Sequence, residues 1–188
     1  MLKGLRITAF VILFISAPAL KAEILPAGSN YAQPTLPAVN PCFQYATPQL
    51  WEYLRLGLAY LESPRPDDPP ETVDPAYLHP DMCGFGTYGL TPEAYADVQR
   101  TYAEFRAYGW KDVLSSTQLY ESANRAFADL LLKNLQDYIP EGASREQIFD
   151  LLQKAWNLGL NGFKNGKEPI GSRIRRAEEF KTSMGNIP

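Results

Sequence analysis

The sequence predicts an all-α domain. Apolar residues recur at three- and four-residue spacing in five segments, and Thr-Pro or Ser-x-x-Gln signals open three of these. No segment alternates apolar and polar residues over a useful length, and no internal repeat occurs.

The first helix opens at Thr47-Pro48, a cap followed by a proline at the first helical position. It runs to Glu62, where Pro64 and Pro66 stop it. Between Pro64 and Pro80 six prolines alternate with acidic residues, a loop long enough to be functional in its own right. Thr91-Pro92 opens a second helix with Tyr95, Val98, Tyr102 and Phe105 inward. A third spans about Thr117 to Tyr138, with Leu119, Ala123, Ala126, Leu130 and Leu131 on one side. Ser144 and Gln147 form a capping box, followed by Ile148, Leu151, Leu152 and Ala155. The last helix, about Ser172 to Thr182, carries Ile174, Ala177 and Phe180. Its "RIRRAEEFK" stretch sets opposite charges three to five residues apart, which predicts an exposed ion-paired face.

The beginning of the chain reads as an export signal. Lys3 and Arg6 precede an apolar run from Ile7 to Ile15, and "APALKA" then offers cleavage after Ala19 or Ala22. Residues 1–22 are therefore expected to be a signal peptide, 23–46 an extended arm, and 47–188 the folded domain. Loss of Lys3, Arg6 and Lys21 takes the net charge from −3 to −6. An acidic exported chain does not suit a nucleic-acid surface, which needs cations to neutralise phosphates. In an oxidising compartment Cys42 and Cys83, the two cysteines, are expected to pair. The loop they close is long, and the chain-entropy model assigns such a bridge roughly 4 kcal/mol.

His79 is the single histidine, so multi-histidine zinc sites are excluded and no metal site is expected. It lies in the proline-rich loop without a serine elbow nearby, and no Gly-rich phosphate loop occurs. Carboxylates are left to carry any catalysis. Leu50, Leu54 and Leu58 mark the buried line of the first helix, and the next position on that line is Glu62. Burial there, and the negative end of the helix dipole, both disfavour a second negative charge, which is what a proton donor requires. A fraying helix end with Glu62 in water is the plainer alternative. Asp67, Asp68, Glu71 and Asp74 offer a second carboxylate or a hard-cation site, although a solvated acidic loop fits their spacing better. Tyr88, Tyr95, Trp110 and Trp156 offer rings for stacking on sugars, although core positions are the commoner fate of aromatics at helical spacing.

Four motifs in order resemble the lysozyme-like lytic transglycosylases of the bacterial cell wall, the SLT-type domains. Glu62-Ser63 match that family's catalytic Glu-Ser, and Gly86, Gly89 and Leu90 of "GTYGL" match the start of its Gly-x-x-Gly-Leu-Met-Gln turn. "NRAFADLLL" keeps Asn124 and Leu132 of an Asn-led helix, with Ala128 in a glycine position. "AWNLG" matches Ala-Tyr-Asn-x-Gly through Ala155, Asn157 and Gly159, with Trp156 in the tyrosine position. "GLTPEAY" lacks the family's Met-Gln pair. The resemblance implies a lysozyme-like fold with a substrate cleft and cleavage between N-acetylmuramic acid and N-acetylglucosamine in peptidoglycan. Glu62 would act as general acid and then base, leaving 1,6-anhydromuramic ends. Ser63, Tyr88, Gly89, Trp156 and Asn157 would bind substrate or orient the site. A hydrolytic lysozyme and a non-catalytic secreted helical peptidoglycan-binding protein are the alternatives. No cofactor is expected. The implied partners are peptidoglycan glycan strands met by a periplasmic or secreted monomer, with a cell-envelope or secretion assembly left open.

Overall fold

A computed structural model describes residues 41–63, 72–80 and 84–185. Among these residues lie six α-helices and no strand: α1 (Pro48–Glu62), α2 (Pro92–Thr101), α3 (Trp110–Ser115), α4 (Thr117–Asn134), α5 (Arg145–Lys164) and α6 (Gly171–Gly185). The expected signal peptide, residues 23–40 of the arm, Asp67, Asp68, Glu71 and Cys83 lie outside the described residues. Cys42 is exposed and has no disulfide partner among the described residues.

The helices start where their caps predict. Thr47 Oγ1 accepts the Leu50 amide at 3.4 Å and Thr91 Oγ1 accepts that of Ala94 at 3.2 Å. Ser144 and Gln147 exchange bonds of 3.3 and 2.8 Å, which satisfies two orphan donors at the start of α5. Helix ends depart more from expectation. The segment to Tyr138 divides, with α4 ending at Asn134 and Gln136–Tyr138 forming a 3₁₀ turn. Likewise α2 stops at Thr101, and Phe105 is carried by a second 3₁₀ turn, Ala103–Ala107. The six-residue α3 is too short for a periodic signal. In α6 the buried residues are Ala177 and Phe180, whereas Ile174 is 39% exposed.

Packing brings α1 against α5 and α6, and α4 against α2, α3 and α5. Gly57 lets α1 approach closely, because a Cβ there would stand 2.4 Å from Phe149 Cε2 and 2.8 Å from Phe180 Cε1. Tyr53, Phe149 and Phe180 close around this point with ring centroids 5.2–6.1 Å apart. Asp129, on α4, ties down the chain that enters α1. Its Oδ1 accepts the amides of Tyr45 and Ala46, each at 2.6 Å, and its Oδ2 accepts the Tyr102 hydroxyl at 2.7 Å. Arg125 adds a bond to the Ala46 carbonyl at 2.9 Å. A buried carboxylate with three donors is a satisfied one. The result fixes the direction of α1, and hence the place of its last residue.

Candidate functional site

That last residue is Glu62. Ser63 ends α1, with its amide on the Ala59 carbonyl at 2.8 Å and its own backbone extended. Glu62 does not fray into water, as its side chain is only 6% exposed. The leucine line therefore reads correctly through to the carboxylate, with Leu54 and Leu58 wholly buried beneath it.

The two carboxylate oxygens are in different situations. Asn157 donates through Nδ2 to Oε1 at 3.3 Å, and the Arg173 guanidinium forms an ion pair with the same oxygen. Arg173 also donates to Asn157 Oδ1, and Asn157 Nδ2 reaches the Gln153 carbonyl at 3.2 Å. Oε1 is thus held from α5 and α6 together. Oε2 accepts no hydrogen bond among the described residues and lies 3.5 Å from where a Gly89 Cβ would stand. The arrangement anchors one oxygen and presents the other.

Three local features put the partners there. In α5 the helix breaks at Gly159, whose φ of 66° and ψ of 163° suit glycine and end the regular turn carrying Trp156 and Asn157. On α6, Arg173 lies four and seven residues before the buried Ala177 and Phe180, on one face with them. This corrects the expectation of a wholly exposed charged face. Arg175–Glu179 and Lys181–Glu178 do form such pairs, but Arg173 turns to Glu62 and Arg176 donates to the Leu61 carbonyl at 3.0 Å. The third feature is the pairing of residues 77–80 with 84–90. Isolated antiparallel bridges join Leu78 to Phe85 and Phe85 to Leu90, and Gly86 and Gly89 both turn the chain with φ of 65°. Tyr120 holds this turn from α4: its hydroxyl donates to Phe85 O at 2.7 Å and accepts the Tyr88 amide at 3.0 Å.

His79 enters the site through this turn. Its amide bonds Gly84 O at 2.9 Å and its Nε2 lies 2.5 Å from Gly86 O. The ring is 8% exposed and lines the space beside Glu62. The residue assigned above to a proline-rich loop therefore belongs to the site. Only tertiary pairing of 78 with 85 brings it there, and no local pattern announces that.

Two cavities border Glu62, and a third borders residues beside it. One of about 110 Å³ is lined by Glu62, His79, Gly89, Trp156, Asn157 and Arg173, among others. It shares Glu62, His79 and Arg173 with a larger one of about 510 Å³, bordered also by Leu61, Ser63, Pro80, Ile170 and Arg176. It shares Gly89, Thr91 and Trp156 with one of about 200 Å³ that reaches Leu90, Ala94, Phe127 and Gly159. Glu62 thus lies on the wall of both the smaller cavity and the larger one.

Of the residues expected to bind substrate, Ser63, Gly89, Trp156 and Asn157 border this space. Trp156 donates Nε1–H to the Tyr88 carbonyl at 3.0 Å and meets Phe127 edge-on at 4.9 Å, so its ring face is fixed while its donor is used. Tyr88 is a correction. It is completely buried, stacked on Tyr120 at 5.8 Å, and donates its hydroxyl to Glu121 at 2.6 Å. Burial, and then the Glu121 carboxylate, push its phenol far above the ordinary range. Its role is to shape the turn. Tyr95 is likewise core, with its hydroxyl on the Tyr108 carbonyl at 2.9 Å, and Asn124 is buried in α4 with its amide on Tyr120 O at 2.8 Å. Asp74 accepts the Ala76 amide at 2.8 Å within its own loop. Among the described residues no three His, Cys, Asp or Glu side chains gather as a metal site, and no helix is long and apolar enough to cross a membrane. Comparison with family models, curated proteins and solved structures finds no match.

Proposed function

We propose that the protein is an exported, lysozyme-like lytic transglycosylase that cleaves the β-1,4 bond between N-acetylmuramic acid and N-acetylglucosamine in peptidoglycan. One observation carries the reading: a buried carboxylate on the wall of two adjoining cavities, with one oxygen anchored and the other accepting no hydrogen bond among the described residues. A glycan strand suits adjoining cavities, with its scissile bond over Glu62. In this reading Oε2 donates a proton to the glycosidic oxygen as the bond to the anomeric carbon breaks. The C6 hydroxyl of the muramic residue then closes on that carbon and gives up its proton to the Glu62 carboxylate, which is thereby restored to the acid. Asn157 and Arg173 keep Oε1 in place throughout, so the reacting oxygen is pre-positioned rather than searched for. The substrate supplies its own nucleophile, and a second catalytic carboxylate is not required.

The Arg173 ion pair favours one alternative, a peptidoglycan-binding protein that keeps the cleft without cleaving. A charge-assisted bond to a guanidinium is a stronger anchor for a carboxylate than for the neutral acid a donor must be. Digestion of purified peptidoglycan, with the products weighed by mass spectrometry, separates the readings. Anhydro ends are the expected result. Reducing ends mean a lysozyme, and an intact polymer means a binder.

A further inference from the structure

The mechanism above leaves unused the other polar group on the wall of the central cavity. Gly86 O only accepts hydrogen bonds, so its 2.5 Å contact with His79 requires the proton on Nε2. In the neutral ring Nδ1 is then an acceptor, with no hydrogen bond among the described residues. The Cε1–Nδ1 edge of the ring and Oε2 of Glu62 approach one point: Cε1 lies 3.4 Å, Oε2 3.5 Å and Nδ1 3.8 Å from where a Gly89 Cβ would stand. Glycine at 89 leaves that point empty, and both groups border the cavity of about 110 Å³. Two acceptors facing one small space are complementary to groups that bring protons.

We propose that His79 is a second catalytic group, which in place of Glu62 takes the proton of the attacking hydroxyl through Nδ1, while Glu62 supplies the proton to the departing oxygen. The inference rests on the transglycosylase reading. Stereochemistry supports it: a β-linked sugar that closes to a 1,6-anhydro ring keeps its anomeric configuration, so the departing and entering oxygens lie on one face. The acid and the base must therefore serve one face, as Oε2 and Nδ1, each within 4 Å of the Gly89 Cβ position, can. The step balances. The C1–O bond to the leaving sugar breaks and that oxygen takes the Glu62 proton. The C6 oxygen bonds to C1 and its proton passes to Nδ1. Return of that proton from Nδ1 to Oε2 restores both groups. The bond from Nε2 to Gly86 fixes the ring and its tautomer, as such bonds do for catalytic imidazoles.

Glutamine separates this role from a structural one, since its amide nitrogen can keep the bond to Gly86 O while Nδ1 is lost. His79→Gln is expected to lower kcat on peptidoglycan by about 100-fold or more, the range of general-base catalysis, with KM and thermal midpoint close to the parent's. A His79→Gln protein within a few-fold of the parent, alongside an inactive Glu62→Gln, overturns the inference and leaves the transglycosylase reading standing. Parent-like activity in Glu62→Gln instead overturns the reading itself. A further measurement needs no variant, because the single histidine gives one set of nitrogen resonances. The neutral ring is expected to carry its proton on Nε2, and the Nδ1 signal to move on addition of a tetrasaccharide alternating N-acetylglucosamine and N-acetylmuramic acid. A proton on Nδ1, or an Nδ1 signal indifferent to the saccharide, overturns the inference.

Discussion

Replacing Arg173 by methionine keeps most of the side chain's stem and removes its charge. Breaking a fully buried ion pair from one side costs roughly 3–5 kcal/mol, while exposed pairs are worth about 1 kcal/mol or less. This pair lies between the limits. The Glu62 side chain is 6% exposed, Arg173 is 26% exposed, and Asn157 still donates to Oε1 after the change. A loss of about 2 kcal/mol follows from that position between the two cases. For a domain of this size it corresponds to a fall in melting temperature of roughly 4–8 °C. The decisive comparison is the same change made in a Glu62→Gln background, where no charge remains to be left unpaired. There Arg173→Met is expected to cost about 1 kcal/mol less, and a double-mutant cycle reads that difference as the coupling. Equal losses in both backgrounds would refute the argument that Arg173 holds a buried carboxylate.

Gly57→Ala places a methyl group against Phe149 and Phe180 where α1 crosses α5 and α6, and overpacking of this kind costs about 1–3 kcal/mol. Urea unfolding is expected to show a lower midpoint with an unchanged slope; an unchanged midpoint would mean the helices are not so close. Asn157→Ala removes the amide that joins Glu62, Gln153 and Arg173, and is expected to reduce kcat roughly 10- to 100-fold by loosening Oε1. An unchanged rate would make Asn157 a bystander, and a collapsed fold would make it structural.

Glu62 was legible because its signal is local. A carboxylate four residues after Leu58 must either lie on the buried face or end the helix, and here it does both. Arg173 obeys the same rule in reverse, preceding Ala177 and Phe180 by helical steps, but neighbouring charges at pair spacing hide it. Exposed Ile174 misleads further, because an isoleucine beside an alanine reads as the more buried of the two. Tyr88 and His79 mark the boundary of such reading. Whether a ring in the 77–90 segment faces core or cleft is decided by bridges between 78, 85 and 90 and by Tyr120 on α4. These contacts are long-range, and side-chain spacing within the segment carries no trace of them. The caps at Thr47, Thr91 and Ser144 were readable for the opposite reason, since a cap spans only four residues.

The central claim is that one oxygen of Glu62 moves a proton in the cleft, and Glu62→Gln tests it most directly. Glutamine keeps the shape and can still accept from Asn157 and Arg173 through its amide oxygen, but it supplies no acid. Purified parent and variant are each incubated with insoluble peptidoglycan, and both the protein retained on the polymer and the soluble fragments released are measured. Glu62→Gln is expected to sediment with the polymer as the parent does and to release no muropeptides, while the parent releases fragments with anhydro ends. Release by Glu62→Gln at the parent's rate would contradict the claim.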